Sequence, residues 1–366
     1  MKILIIGGHL SPALSVIENL KEIEVFYVGR KYSMEGDSAL SLEYRTMNKL
    51  NIPFFELTTG RLQRAFTKHT LASIAKIPIG LLQAFVILKK TKPDVVLGFG
   101  GYVCVPIILA AYMLKIPSVL HEQTLEAGLA NKILALFVKK ICISFPSSQN
   151  FFPKNKTVLT GLPLKREVLD VKTKEREENK VPILYITGGS QGSHAINSLV
   201  MESLGKLLET FRIVHQTGDF QEFNDFEKLV SLKKILPKGL GIRYLVKKFL
   251  DPKEAAEIMQ SADIVVSRSG INSVCELIFL EKPSLLIPLS FSQRNEQLKN
   301  AKYIESLGLA RVYEQNSLTS QTFVSALKDM LKNIKQLRLT GQNPLETKAS
   351  LKIIEVLKDV VSQKKS

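Results

Sequence analysis

Short apolar runs of four or five residues alternate along the chain with longer stretches whose apolar positions recur every three or four residues. The short runs are apolar on successive positions, which marks strands buried on both faces; the longer ones read as amphipathic helices with one packed side. A first series of strands is expected at residues 2–6, 25–28, 95–98, 118–121, 140–144 and 157–160. A second follows at 183–187, 212–216, 242–245, 264–267, 284–288 and 310–313. Strands separated by helices pair in parallel through right-handed crossovers, so the pattern predicts α/β architecture. Two series predict two doubly wound parallel-sheet domains in tandem. The charged stretch KTKEREENK at 172–180 lacks apolar periodicity, and the boundary is placed near Thr160. The expected domains are 1–160 and 161–345, with an amphipathic last helix in 346–366 packing back on the first.

In open α/β sheets ligands bind beyond the carboxyl ends of the strands. The residues with chemical potential fall at such positions. ILYITGGSQGSHAIN runs from a strand into Gly188, Gly189, Ser190, Gln191 and Gly192, then into a helix. Glycines let backbone approach an anion, and free N–H groups at the helix start receive it, so this turn suits a diphosphate. It is neither G-x-G-x-x-G nor a Walker A sequence. ADIVVSRSGINSVCEL repeats the arrangement with Arg268, Ser269, Gly270 and Asn272, and places Glu276 one and a half turns into the helix, where a carboxylate can accept ribose hydroxyls. PLSFSQRNEQLKNA is rich in amides (Gln293, Asn295, Gln297, Asn300), groups that recognise neutral sugar hydroxyls and acetamido groups. In the first half, Gly7, Gly8 and His9 follow the first strand, Gly98, Gly100 and Gly101 follow another, and SVLHEQT brings His121 and Glu122 to a strand end. Transfer of a glycosyl group needs a base for the acceptor hydroxyl and stabilisation of the departing diphosphate. His9 and Glu122 are the base candidates.

The set GGHLSPALSV, GFGGYV, HEQ, GLANK, GGSQG, HQTG, SRSG and E-x-x-x-NA resembles the MurG family, in order and spacing, from about Met1 to Leu357. The resemblance implies the GT-B fold, two Rossmann-like domains facing a cleft. It implies inverting transfer of N-acetylglucosamine from UDP-GlcNAc to lipid I, a polyprenyl-diphosphate-linked acceptor, giving lipid II in peptidoglycan synthesis. It makes Gly189, Ser190 and Gln191 diphosphate and sugar contacts, Glu276 the ribose ligand, and Phe249 and Leu250 the cap on uracil. Arg268, Ser269 and Asn272 line the donor site, with Gln297 and Asn300 at the sugar. His9, Tyr102, His121 and Glu122 fall on the acceptor side, with His9 the usual candidate base, and Lys165 is a further substrate-binding residue. No cofactor and no metal is implied. The first loop is shorter than the family's usual glycine-rich loop, and the family's HEQN and GNPVR read HEQT and GLPLK here. The same residues also admit a related transferase with another lipid or glycan acceptor, a UDP-GlcNAc epimerase, or a non-catalytic UDP-sugar-binding partner.

Composition narrows the setting. The 366 residues carry 50 Lys and Arg against 34 Asp and Glu, a formal charge of +16, which points to anionic partners. No nucleic-acid-binding signature accompanies the charge. Three separated cysteines exclude a zinc or disulfide framework and fit a reducing cytoplasm. The opening residues do not form a signal peptide, and the longest apolar stretch, 103–114, contains Pro106 and falls short of the ~20 residues of a spanning helix. Between residues 61 and 90, Leu62, Phe66, Leu71, Ile74, Ile77 and Ile79 are interleaved with Arg61, Arg64, Lys68 and Lys76. Such a surface binds anionic lipid. A peripheral position on the cytoplasmic face of the membrane is therefore expected, with 81–88 as a core helix.

Overall fold

The computed structural model describes residues 1–32, 39–58, 70–172, 179–189, 191–219, 222–291 and 295–365. The chain divides into two compact units, Met1–Lys165 with Glu346–Ser366, and Arg166–Leu345. Chain order in the first unit is β1 (Lys2–Ile6), α1 (Leu10–Ile17), β2 (Glu24–Gly29), α2 (Leu42–Lys49), β3 (Phe54–Glu56), α3 (Thr70–Thr91) and β4 (Val95–Gly98). It continues with α4 (Cys104–Met113), β5 (Ser118–Glu122), α5 (Leu129–Leu134), β6 (Lys140–Ile143) and β7 (Thr157–Leu159). The second unit holds α6 (Arg166–Lys172), β8 (Ile183–Thr187), α7 (His194–Leu208), β9 (Arg212–Gln216), α8 (Asp225–Ile235), α9 (Lys238–Gly241) and β10 (Tyr244–Lys247). Then come α10 (Pro252–Ser261), β11 (Ile264–Ser267), α11 (Ile271–Phe279), β12 (Ser284–Leu286), α12 (Glu296–Ser306), β13 (Ala310–Val312) and α13 (Ser320–Lys332). The last helix, α14 (Ala349–Lys365), packs on α1 and β4 of the first unit.

Both sheets are parallel throughout their described pairings. Their orders are β3-β2-β1-β4-β5-β6-β7 and β10-β9-β8-β11-β12-β13. Each is wound in two directions from its first strand, so a topological switch point lies between β1 and β4 and another between β8 and β11. The pattern of β1 shows why the strands are apolar on every position. Leu4 and Ile6 face one core with Leu88, Ile107 and Ile108, whereas Ile3 and Ile5 face another with Ile353 and Leu357 of α14. All four β1 isoleucine and leucine side chains are fully buried. At about 1.5–3 kcal/mol for each such side chain, a helix on either face is what makes the strand stable. The second sheet has an equivalent core around Leu184, Ile186, Ile213, Ile264 and Val266.

The strand pattern holds with two departures. β3 was not expected: its sequence is only Phe-Phe-Glu at the sheet edge, too short to show periodicity. β10 lies two residues beyond the expected 242–245, because Ile242 is exposed and Arg243 closes the α9 turn by donating its N–H to Leu240. Helix α3 also corrects an expectation. Ala84, Ile87 and Leu88 are core, but Ile79, Leu82 and Val86 are 49%, 68% and 65% exposed, so 81–88 is not simply a core helix. Among the described residues no helix is long and apolar enough to cross a membrane.

Candidate active site

At the first switch point, the turns after β1 and β4 are pressed together. A Cβ on Gly8 would lie 2.2 Å from the Gly100 carbonyl oxygen, so no larger residue fits there. His9 caps α1, and its Nδ1 lies 3.1 Å from the Phe99 carbonyl oxygen. A carbonyl only accepts, so Nδ1 carries the proton and Nε2 presents a lone pair. No partner for Nε2 is found among the described residues, and His9 is only half-buried.

His121 and Glu122 lie in the same unit but offer no comparable acceptor. His121 is fully buried, with Nε2 3.2 Å from the Gly161 carbonyl oxygen. Burial pushes its pKa down to about 4. Its Nδ1 has no hydrogen-bond partner of good geometry, although the Gln123 side chain lies close enough to favour the charged form slightly. Glu122 is 2% exposed and held on both oxygens. Its Oε1 accepts from Thr124 N at 3.0 Å, and its Oε2 from Gly128 N and Asn131 Nδ2, both at 3.0 Å. The Thr124 hydroxyl lies 2.6 Å from both Glu122 Oε1 and the Glu126 carbonyl, two acceptors for its single proton. Of the expected catalytic residues, Glu122 is thus held by internal donors and His121 is sealed by burial. Glu122 shapes the 124–131 turn at the start of α5, and His121 is a packed, neutral ring.

Two residues that pattern alone did not single out complete this corner. The Glu43 carboxylate accepts from Gly8 N at 3.2 Å and from the Tyr27 hydroxyl at 3.3 Å. Gly7 and Gly29 close around it, since a Cβ on either would lie within 2.8 Å of its oxygens. The Arg30 guanidinium stands 5.8 Å from the centre of the half-buried Tyr102 ring. Only the fold brings Glu43 to Gly8 across 35 positions of sequence, so no local motif announces it. Lys165 is half-buried at the end of the first unit.

At the second switch point, Gly188–Gly192 follows β8 and Arg268–Gly270 follows β11. Gly189 has φ +85° with open space where a Cβ would be, and Gln191 is exposed beside it. Ser190 lies outside the described residues, as does Gln293. Gly270 caps α11 with no side chain over the helix start. Arg268 is committed internally. Its Nη1 donates to the Ile287 carbonyl at 3.0 Å, and its Nη2 to Ser193 Oγ and Gln315 Oε1, both at 2.7 Å. It ties the β11 turn to Ser193, the cap of α7, so it builds the site more than it offers a free cation. Ser269 is fully buried and donates its hydroxyl to the Gln297 carbonyl at 2.7 Å. Gln297 Oε1 accepts from Leu289 N at 3.0 Å.

Other residues expected on the donor side are drawn inward or exposed at strand ends. Glu276 is 7% exposed, drawn inward on α11 instead of solvated; burial raises the pKa of the Tyr185 phenol, and the Glu276 charge adds to it. Asn300 donates from Nδ2 to the Ser269 carbonyl at 3.1 Å, while its Oδ1 and that of Asn272 are buried acceptors with no hydrogen-bond partner among the described residues. Buried acceptors without donors are costly unless a ligand supplies them. Phe249 is 54% exposed just past β10, with Leu250 next to it. A flat apolar ring so exposed at a strand's carboxyl end is suited to covering a planar base.

Family models bear on both units. Residues 6–143 match the Glycosyltransferase family 28 N-terminal domain, and 183–357 match its C-terminal domain. A UDP-N-acetylglucosamine--N-acetylmuramyl-(pentapeptide) pyrophosphoryl-undecaprenol N-acetylglucosamine transferase of Clostridium botulinum (strain Alaska E43) is 35% identical over 360 residues, covering 96% of this chain and 94% of the relative. The protein of the same name from Clostridium tetani is 35% identical over 337 residues, 89% and 88% of the two chains. The chain belongs to the MurG family. The crystal structure of Acinetobacter baumannii MurG superposes with TM-score 0.73 at 24% identity, over 98% of this chain and 100% of that one. UDP-GlcNAc 2-epimerase from Neisseria meningitidis, bound to UDP-GlcNAc, superposes at 0.66 with 17% identity, over 98% and 100% of the chains, a likeness of fold alone. Both units of the MurG-family chain are thus Rossmann-like, and the fold is GT-B.

Proposed function

We propose that the chain transfers N-acetylglucosamine from UDP-GlcNAc to lipid I, giving lipid II and UDP, at the cytoplasmic face of an anionic membrane. The observation that carries the reading is the pairing of two glycine-lined switch points with unlike chemistry. One presents an imidazole nitrogen with an open lone pair, and the other presents anion-accepting backbone with inward-turned sugar-binding groups. The first unit takes the acceptor, with Tyr102, Lys165 and Arg30 beside it. The second takes the donor: Gly189, Ser190 and Gln191 at the diphosphate, Glu276 at the ribose, Phe249 and Leu250 at the uracil. Asn272, Gln297 and Asn300 serve the sugar, and Ser269 and Arg268 hold the turn.

In the reaction the acceptor hydroxyl oxygen bonds to the anomeric carbon while the bond from that carbon to the UDP phosphate oxygen breaks. His9 Nε2 takes the hydroxyl proton. The charge left on UDP is received by the N–H groups and positive helix ends at Gly188–Gly192 and Gly270, which are held in place before reaction. Attack opposite the leaving group inverts the anomeric centre. Membrane attachment is supported by the α3 strip of Ile79, Leu82 and Val86, which continues into exposed Lys89 and Lys90. Arg61, Leu62, Arg64, Phe66 and Lys68 lie outside the described residues, as do the side chains of Leu71, Ile74, Lys76 and Ile77.

Product analysis separates this reading from the epimerase. With UDP-GlcNAc and a soluble lipid I analogue, mass spectrometry is expected to find the acceptor heavier by one N-acetylhexosamine, and proton NMR, which tells the C2 epimers apart, no change in UDP-GlcNAc without acceptor. Conversion of UDP-GlcNAc to UDP-ManNAc in the absence of acceptor would establish the epimerase instead.

A further inference from the structure

A buried chain of polar side chains runs through the second unit, and the donor chemistry uses none of it. Tyr244, His215 and Asn197 are each no more than 1% exposed, and Asp225 is 5% exposed. The Tyr244 hydroxyl lies 2.9 Å from His215 Nδ1, and His215 Nε2 lies 3.0 Å from Asn197 Oδ1. Asn197 Nδ2 donates to the Thr217 carbonyl at 3.1 Å and to Asp225 Oδ2 at 2.8 Å. His194 Nδ1 reaches Asp225 Oδ1 at 2.9 Å, and its ring stacks on Phe223 with centroids 3.7 Å apart. The proton positions follow from the partners. Two acceptors face Asn197 Nδ2, so the amide has one workable orientation and its Oδ1 must accept from His215. His215 then carries its proton on Nε2 and accepts from Tyr244 on Nδ1. Every donor points one way, from Tyr244 toward Asp225.

This chain holds one short turn. Thr217 and Gly218 follow β9, and they touch the glycine turn after β8 through backbone alone. A Cβ on Gly192 (φ +84°) would lie 2.0 Å from the Thr217 carbonyl oxygen, and one on Gly218 (φ +73°) would lie 2.4 Å from that of Gln191. Gln216 Nε2 adds a bond to the Gly189 carbonyl at 3.2 Å. On the other side, Thr217 N and Gly218 N donate to the carbonyls of Lys247 and Lys248, both at 3.0 Å, directly before Phe249 and Leu250. Thr217 and Gly218 are therefore the common wall between the turn with the diphosphate contacts and the segment that covers the base. A polar recess of about 340 Å³ lined by Thr217, Asp219, Asp225, Phe226 and Lys248 adjoins the chain; none of the candidate donor residues lines it.

We infer that Asn197 is a positioning residue for the donor, holding the Thr217–Gly218 turn so that diphosphate and base are gripped together. The inference rests on the donor reading of the second unit. Removing the amide strands the His215 N–H and the Thr217 carbonyl at once and leaves Asp225 Oδ2 with His194 Nδ1 at 3.1 Å, in a setting where unmade hydrogen bonds are expensive. His194 secures the outer end through Asp225, and an asparagine at position 194 supplies an N–H at the place of Nδ1.

The test compares Asn197→Ala, His194→Ala and His194→Asn with the unmodified chain, measuring KM for UDP-GlcNAc, KM for the lipid I analogue, kcat and melting temperature. In N197A the donor KM is expected to rise about tenfold while the acceptor KM stays within about twofold. H194A is expected to shift the donor KM in the same direction, and H194N to restore it. A merely structural role lowers the folded fraction and leaves both KM values alone, and that result in N197A would overturn the inference. If N197A does not fold, the His194 pair decides, since equal donor KM in H194A and H194N would also overturn it. Failure of the unmodified chain to bind UDP-GlcNAc would remove the donor reading, and this inference with it; normal binding by the unmodified chain and by N197A alike would remove the inference alone.

Discussion

His9 differs from His121 and Glu122 in what remains after internal partners are counted. Its Nδ1 is bound to a carbonyl and its Nε2 has no partner among the described residues, whereas Glu122 accepts N–H donors on both oxygens and His121 is sealed in the core. We expect His9→Asn to lower kcat by about 10²-fold or more. Glu122→Gln is expected to lower thermal stability, because its amide N–H₂ would face an N–H donor, while changing kcat far less than H9N does. A kcat lost in E122Q and kept in H9N would reverse the assignment. The buried histidines also set the response of stability to acid. Burial pushes His121 down to about 4 and His215 to about 3, against an ordinary value of 6.5. Below that ordinary value the unfolded chain binds protons at both sites while the folded chain does not. Stability is thus highest above 6.5 and is lost as pH falls from there toward about 4. The urea midpoint is expected to drop across that window, less steeply in His215→Gln; a flat midpoint would contradict the burial. None of this separation was legible in sequence, where His9, His121 and Glu122 all stand at strand ends. For the histidines it depends on Phe99 and Gly161, 90 and 40 positions away, and for Glu122 on the local fold of the 124–131 turn.

At the scale of elements, period was legible and edges were not. Every long central strand was expected, because burial on both faces leaves an unbroken apolar run. β3 escaped because an edge strand of three residues needs no such run, and β10 shifted because Ile242 is apolar without being buried. The glycine turns were legible as motifs, since a strand followed by Gly-Gly and a helix start has few other uses. Their mutual contacts, Gly8 with Gly100 and Gly192 with Thr217, came only with the fold. Helix α3 shows the limit most clearly: spacing identifies a helix with apolar residues on more than one face, but not which face the core takes. Leu82→Glu with Val86→Glu is expected to weaken binding to vesicles containing anionic lipid several-fold. It is expected to leave turnover of a soluble acceptor analogue unchanged, since neither side chain belongs to the core. Undiminished vesicle binding would move the membrane contact elsewhere.

At the scale of the whole molecule, the two units share a plan and divide the chemistry. Each winds a parallel sheet outward from its first strand and leaves two glycine turns at the switch point. In the proposed reaction His9 is the base of the first unit, and the second contributes backbone N–H groups, Glu276 and an exposed Phe249. The net charge of +16 suits a chain whose donor, acceptor and docking surface are all anionic. The most direct test of this division measures UDP-GlcNAc binding and acceptor-dependent UDP release together, in the unmodified chain, His9→Ala and Glu276→Ala. The account predicts that H9A binds UDP-GlcNAc normally and releases no UDP, whereas E276A binds it at least about tenfold more weakly, with turnover recovering in part at high donor concentration. Normal UDP release by H9A, or unchanged donor binding by E276A, would contradict it.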